Sequence, residues 1–125
     1  MNEGDTFRRS VGSHLWVVVS DPRQDPIQVA IVSLTTLRRF SDHSCLLQAG
    51  EHSFIKHETC LMYSEARIVT ESSLEGELSR GQIQLLSPVT KPILDRIRHG
   101  AAISDRIPLN VRELLRKQRL FPLEE

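Results

Sequence analysis

The feature that most constrains the fold is a pair of apolar segments within residues 14–36, separated by a turn rich in aspartate and proline. Residues 15–19 are apolar throughout, which predicts a strand buried on both faces. Residues 27–34 form the second apolar segment. Because Asp21-Pro22 and Pro26 interrupt the pattern between them, the two segments predict an antiparallel hairpin with a loop of about six residues.

Short strands are also predicted at residues 6–7, 45–47 and 82–86. A further strand is predicted within residues 59–69, with residues 66–69 as its core. Between them, the polar segment 51–58 predicts a loop that crosses one end of a barrel. The segment 71–80, rich in Ser, Glu and Gly, predicts a second loop.

The pattern then changes to helical spacing. Thr90 is a candidate N-cap before Pro92, and Gly100 is a candidate stop signal. A second helix is predicted from Asn110, with Glu113 three residues later as in a capping box. Strands followed by helices predict one α+β domain over residues 1–125, mainly β, with a small curled barrel at 1–86 and a C-terminal helical segment at 87–125.

Charge and cysteine content limit the classes of function. Acidic and basic residues balance at sixteen each, so a nucleic-acid site would have to come from a local basic cluster. Cys45 and Cys60 belong to no CxxC pair, which favours buried thiols in a reducing compartment. No apolar run approaches the roughly 20 residues needed to cross a bilayer. These observations predict a soluble cytoplasmic protein with no membrane partner.

Hydroxyls and guanidiniums meet at the end of the second hairpin strand, where Thr35-Thr36 is followed by Arg38-Arg39. A rigid strand that delivers both kinds of donor to one place predicts a site for a phosphate-bearing ligand. The alternative is that Thr35 and Thr36 are ordinary β-branched strand residues and that the two arginines lie in a solvated turn.

Four segments, in order, resemble the MazF/PemK-like toxin family. Gly4-Asp5 is similar to the family's opening Gly-Asp, and residues 15–20, LWVVVS, to its first long strand. Residues 32–36, VSLTT, resemble its hydrophobic-x-Pro-Leu/Ile-Thr-Ser strand end. Residues 54–58, FIKHE, through 66–68, ARI, resemble a later loop that leads into a strand. The resemblance covers roughly residues 4–70 together with the helix at 90–99.

The resemblance implies an SH3-like barrel and a toxin-like, metal-independent endoribonuclease that cleaves single-stranded RNA or mRNA. It also implies a growth-inhibiting member of a toxin–antitoxin system, a homodimer neutralised by a small antitoxin protein. Thr35 corresponds to the family's catalytic Thr or Ser, whereas His14 replaces the family's arginine next to proline. That departure keeps open a second reading, a non-catalytic SH3-like barrel that binds RNA or a protein partner.

Ribonuclease chemistry without a metal needs a base for the ribose 2′-OH, an acid for the 5′-oxygen and donors for the phosphorane charge. A histidine transfers protons near neutral pH because its unperturbed pKa is about 6.5. We therefore expect His14 to be base or acid, Thr35 to hold a phosphate oxygen, and Arg38 or Arg39 to stabilise charge. The alternative is that His14 simply flanks a strand at the surface.

Further RNA contacts are expected around this catalytic set. Phe40, beside the double arginine, is the candidate for stacking on a base. The remaining predicted RNA-binding residues are Thr36, Arg39, His52, Lys56, His57 and Arg67. Lys56 and Arg67 have Glu58 and Glu65 as alternative partners.

No metal or other cofactor is expected, since His57-x-x-Cys60 has no second closely spaced pair. A third reading makes the basic face of the last helix the contact surface for an acidic partner; that face carries Arg112, Arg116, Lys117 and Arg119.

Overall fold

The computed structural model describes residues 1–12 and 14–122. It contains strands β1 (Thr6–Arg9), β2 (Leu15–Val18), β3 (Val29–Thr36), β4 (Leu46–Leu47), β5 (Thr59–Val69) and β6 (Ile83–Leu86), and helices α1 (Glu71–Ser79), α2 (Lys91–Ile103) and α3 (Leu109–Lys117). The strands form one antiparallel sheet in the order β4-β5-β3-β2-β1-β6. The predicted α+β, mainly β architecture is confirmed.

The predicted hairpin is β2 paired with β3, and every residue of β2 is buried. β3 begins two residues later than expected, because the Asp25 carboxylate accepts hydrogen bonds from the amides of Ile27 and Gln28 at 3.0 and 3.1 Å. Both residues are exposed and belong to the turn. β3 ends at Thr36, so both Thr35 and Thr36 lie within the strand.

Each face of the sheet has its own apolar core. Helices α2 and α3 cover one face with buried side chains that include Ile97, Leu114 and Leu115. Helix α1 covers the other face through Leu74, which packs into a cluster with Phe7 and Trp16. Burying both faces explains why β2 and the first half of β3 are apolar without alternation.

The two edge strands, β4 and β6, are not joined by a hydrogen-bonded ladder in the described part of the chain. Instead, the loop at 48–58 reaches from one edge to the other, since His52 Nε2 lies 2.6 Å from the carbonyl oxygen of Ser87, just after β6. The sheet is open, and closure into an SH3-like barrel stays a prediction.

The segment 71–80 was expected to be a loop, and that expectation is wrong because it contains α1. The Thr70 hydroxyl caps the helix by accepting from the Ser73 amide at 3.0 Å. Leu74 is buried, and Leu78 packs beside it against the sheet. Tertiary burial of two leucines outweighs the low helix propensity of the serines and the glycine.

Both helices of the C-terminal segment exist, and of their predicted end signals only the N-cap Thr90 is confirmed. Thr90 caps α2, whereas Gly100 lies inside the helix because it packs against Tyr63 and Cys45. Helix α3 follows Pro108, with no side-chain cap, so the capping box of Asn110 and Glu113 is wrong. Residues 123–125 of this predicted segment lie outside the described residues.

The two cysteines are free and buried, as predicted, and burial raises the pKa of the Cys45 thiol to about 11. None of the helices within residues 1–12 and 14–122 has the length and apolarity to span a membrane.

Replacing Gly100 by alanine is expected to destabilise the fold by about 1–3 kcal/mol, because the new Cβ would overlap the Tyr63 hydroxyl and lie 2.7 Å from Cys45 Cβ. Gly76→Ala in α1 is the matched control, since its Cβ would meet only the end of the Arg80 side chain at 3.1 Å and gains helix propensity. Urea unfolding measures both. A Gly100→Ala variant as stable as Gly76→Ala would contradict this packing.

Candidate functional site

Strand pairing brings three distant segments to one end of the sheet. Leu15, at the start of β2, pairs with Leu34 near the end of β3. Thr59, at the start of β5, pairs with Thr36 at the end of β3. His14 and residues 54–57 precede β2 and β5, so both must lie beside the threonines.

These segments line a cleft of about 300 Å³, which we call the threonine cleft. It contains six of the predicted site residues: His14, Thr35, Thr36, Arg38, Lys56 and His57. Leu15, Leu34, Phe54, Ile55 and Thr59 complete its walls. No carboxylate from the described residues lines the cleft, so its electrostatic character is that of its cations.

The His14 side chain is held by a main-chain carbonyl. Its Nδ1 lies 3.2 Å from the oxygen of Leu34, and because a carbonyl only accepts, Nδ1 must carry the hydrogen. In the neutral ring, Nε2 then has a lone pair and is left as a proton acceptor. The fold therefore selects the tautomer in which a neutral His14 presents Nε2 as a base.

A second histidine contacts the strand end from the opposite wall. His57 Nε2 lies 2.7 Å from the Thr36 hydroxyl oxygen, and the Thr59 hydroxyl donates to the carbonyl of His57 at 3.0 Å. The Leu37 amide donates to the carbonyl of Glu58 at 3.1 Å, which continues the β3–β5 pairing beyond Thr36. The backbone at His57 is thus tied to the β3–β5 ladder, and its ring contacts the last residue of β3.

Two cations of the threonine cleft have no acidic partner within the described chain. Neither Arg38 nor Lys56 forms an ion pair there, and both are exposed. The alternative pairing of Lys56 with Glu58 is absent among these residues, where Glu58 instead accepts from the Gln48 amide nitrogen at 3.0 Å. A protein with no net charge therefore carries a local basic site.

A second cleft of about 460 Å³ adjoins the first and shares Thr35 and Arg38 with it. Arg39 and Phe40 line it, as predicted for RNA contacts, and Phe40 is 81% exposed. The guanidinium of Arg39 lies 5.3 Å from the centre of the Phe40 ring. The two clefts together form one groove with an aromatic ring at one side.

The loop that carries Phe40 is anchored to the connection between α2 and α3. Arg106 donates to the carbonyl of Phe40 at 2.9 Å, and the Ser104 hydroxyl donates to Asp42 at 2.7 Å. Burial acts to raise the pKa of Asp42, but hydrogen bonds from Ser104 and Ser44, with the nearby Arg106 charge, lower it below its ordinary value. The ionised carboxylate therefore stabilises the folded loop.

Two predicted RNA-binding residues lie apart from the groove. His52 is 7% exposed; its Nδ1 accepts from the Phe54 amide at 3.0 Å and its Nε2 donates to the Ser87 carbonyl. Both ring nitrogens are thus engaged, Nδ1 within the 48–58 loop and Nε2 across to the segment after β6. Arg67 stacks its guanidinium 4.8 Å from the ring of Trp16 on the α1 face of the sheet.

Phe54 and Arg106 are groove residues that were not predicted as site residues. The apolar sequence around Phe54 predicts a core residue, but its side chain is 36% exposed and lines the threonine cleft. The guanidinium of Arg8 lies over its ring. Arg106 lines the second cleft, 66 residues away from the carbonyl that it contacts, and no local pattern marks it.

The basic face of α3 is a weaker candidate for a binding surface. Arg112 donates to the carbonyl of Ser104, and Arg116 pairs with Glu113. The opposite face of the helix is part of the core, so truncation after Ser104 would remove buried residues as well as charge. Point substitutions on the exposed face are the appropriate test of that reading.

Within the part of the chain that the structure describes, no three histidine, cysteine or carboxylate side chains are grouped as metal ligands would be. No family model, curated protein or solved structure matches the chain.

The two histidines of the 48–58 loop should behave differently on substitution. His52→Ala is expected to cost about 2 kcal/mol, because it leaves buried polar groups without partners. His57→Ala should change the unfolding free energy by less than about 0.5 kcal/mol, since its side chain is exposed. Equal costs in denaturant titrations of the two variants would refute the structural role of His52.

Asp42→Asn should destabilise the protein most at neutral pH. The lowered pKa means that the carboxylate contributes stability above its ordinary value of 3.8 and loses it as pH falls through the lower folded value. The gap in unfolding free energy between wild type and Asp42→Asn should therefore narrow below about pH 4. Ser104→Ala removes the donor and should give the same trend; a gap independent of pH in both variants would contradict it.

Proposed function

We propose that the groove binds single-stranded RNA and that the threonine cleft cleaves it by attack of the ribose 2′-OH on the adjacent phosphate, without a metal. The observation that carries this proposal is the contact of His14 Nδ1 with the Leu34 carbonyl, which leaves Nε2 as the acceptor nitrogen in a cleft with hydroxyls and with cations that form no ion pair among the described residues. The substrate class follows from the chemistry, because this mechanism needs a 2′-hydroxyl next to a phosphodiester.

His14 takes the proton from the 2′-oxygen through Nε2. The bond from Nδ1–H to the Leu34 carbonyl is kept in the neutral ring and in the imidazolium, so the ring need not reorient as the proton arrives. A positioned general base of this kind typically contributes 10²- to 10⁴-fold in rate.

The phosphate is held and neutralised by its neighbours on β3. Thr35 is half-buried and lines both clefts, so its hydroxyl is a candidate donor to a non-bridging oxygen. Arg38 belongs to the same junction and is free among the described residues to bind the phosphorane charge. Lys56 adds a second positive charge on the opposite wall.

The second cleft accommodates the nucleotide next to the scissile phosphate. Phe40 offers an exposed ring on a loop fixed by Asp42 and Arg106, and stacking on such a ring contributes about 1–3 kcal/mol per base. Double-stranded RNA buries its base faces, so this arrangement favours single strands.

The MazF/PemK-like resemblance extends this proposal to the biological role, the fold and the partners of the protein. We propose a toxin-like endoribonuclease with a divergent SH3-like barrel, acting on mRNA in the cytoplasm. It forms a homodimer and is neutralised by a small antitoxin protein that occupies the groove. The bridge from the 48–58 loop to Ser87, which joins the two sheet edges, supports the barrel.

The alternative function is binding without cleavage. It is favoured by one observation, the histidine at the position where the family has arginine. The same hydroxyls and cations would hold an RNA phosphate without any proton transfer.

Wild-type protein with EDTA present is expected to cut a long single-stranded RNA at recurring sites and to leave 2′,3′-cyclic phosphate and 5′-hydroxyl ends. His14→Ala should lower the rate by about 10²- to 10⁴-fold, and Arg38→Ala by about 10²- to 10³-fold. Thr35→Ala should cost about 10- to 100-fold, as for a lost hydrogen bond to a charged oxygen. Gel mapping of end-labelled RNA measures the rates.

His99→Ala and Ser72→Ala are the matched controls, since both residues are exposed and lie outside the groove. Full activity in both His14→Ala and Thr35→Ala would refute the assignment of the site. Tight binding of RNA by folded wild type, with no cleavage, would establish the binding function instead.

A further inference from the structure

His57 and Thr36 form a side-chain pair that has no role in the cleavage step proposed above. The His57 Nε2 and the Thr36 Oγ1 are 2.7 Å apart, and both residues line the threonine cleft with His14. The loop before His57 is internally tied, since the Gly50 amide donates to the Ile55 carbonyl at 2.9 Å and the Ile55 side chain is buried. Thr36 is therefore held by its strand, and His57 follows a loop that is tied to itself and to the core.

A hydroxyl is a suitable partner for a ring that must give up a proton. Thr36 can accept from Nε2–H of a protonated His57, and it can keep that hydrogen bond after Nδ1 has given up its proton, because the neutral ring then holds its hydrogen on Nε2. Only one ring nitrogen is used by the pair, so Nδ1–H of the protonated ring remains available to a substrate oxygen. The carbonyl that holds His14 accepts only, which suits a base whose Nδ1 keeps its hydrogen throughout.

The charged and titratable groups around His57 come from three elements. His14 precedes β2, Arg38 follows β3, and Lys56 is its neighbour in the loop. Glu58 follows His57 but is engaged with Gln48. The described residues therefore place His57 among cations and a second imidazole.

We propose that His57 is the general acid that protonates the 5′-oxygen leaving group, and that Thr36 is the residue that positions its ring. This inference rests on the proposed RNA cleavage and adds the second half of its proton transfer.

The step is balanced without an oxidant, reductant or metal. The 2′-O–H proton passes to Nε2 of His14, a 2′-O–P bond forms, and the P–O5′ bond breaks. The electron pair left on O5′ takes the proton of His57, so the reaction gives a 2′,3′-cyclic phosphate and a 5′-hydroxyl. His14 ends protonated and His57 neutral, and exchange with solvent restores both.

The test uses two oligonucleotides with one ribose at a mapped cut site and deoxyribose elsewhere. One has the normal 5′-oxygen, and the other has a bridging 5′-sulfur at the same position. A thiolate is a weak base, since thiols have an ordinary pKa near 8.5, so it leaves without a proton donor. The acid is therefore needed only for the oxygen substrate.

His57→Ala is expected to lower the rate on the oxygen substrate by about 10²- to 10⁴-fold and to stay within about 10-fold of wild type on the sulfur substrate. His57→Gln, which keeps a polar partner for Thr36, should behave alike. His14→Ala should be slow on both substrates, because the base is needed in each. His99→Ala should match wild type on both.

Thr36→Val should slow the oxygen substrate by about tenfold and change the alkaline limb of its pH–rate profile, with little effect on the sulfur substrate. Thr36→Ser retains the hydroxyl and should restore the wild-type profile. A purely structural role for Thr36 would slow both substrates equally.

Equal losses on both substrates in His57→Ala and His57→Gln would overturn the inference while leaving the proposed cleavage in place. Rescue of His14→Ala, rather than His57→Ala, by sulfur would also overturn it, since the roles would be exchanged. Absence of cleavage of both substrates by folded wild type would refute the proposed function itself, and the inference with it.

Discussion

The structure depends on the pairing of β3 with its two neighbours at its C-terminal end. Leu34 pairs with Leu61 on one side and Leu15 on the other, and Thr36 pairs with Thr59. This ladder continues the buried sheet into a region where the side chains become polar. It fixes the two threonines as strand residues, and it places the segments before β2 and β5 on either side of them. The groove exists because the ends of β2, β3 and β5 lie side by side, and a polar segment adjoins each of these ends.

The helices cover different lengths of the two faces of the sheet, and this difference shapes the groove. Helix α1 covers the β1–β3 part of its face through Leu74, and the rest of that face, near Thr35 and Met62, borders the second cleft. On the opposite face, α2 and α3 complete a larger core, and their connection anchors the Phe40 loop through Ser104 and Arg106. The helices thus support the groove without lining most of it.

Much of the site was predictable because it depends on antiparallel pairing, which the apolar pattern of residues 14–36 indicates. His14, Thr35 and Arg38 fall together once that hairpin is accepted. The features that were missed depend on distant partners. His52 is a structural residue because of Ser87, 35 positions away, and Gly100 lies inside α2 because Tyr63 and Cys45 leave no room for a Cβ. Helix α1 was missed because only two leucines define its apolar side.

We propose that the groove at the end of β3 binds single-stranded RNA. The most direct test is a titration of isotope-labelled protein with a short single-stranded oligonucleotide whose 2′-hydroxyls are removed, followed by nuclear magnetic resonance. We expect the chemical-shift changes to concentrate at residues 14, 34–40 and 54–57 and to become smaller when salt is added. Shifts confined to the basic face of α3, or no shifts at a saturating concentration of the oligonucleotide, would contradict this proposal.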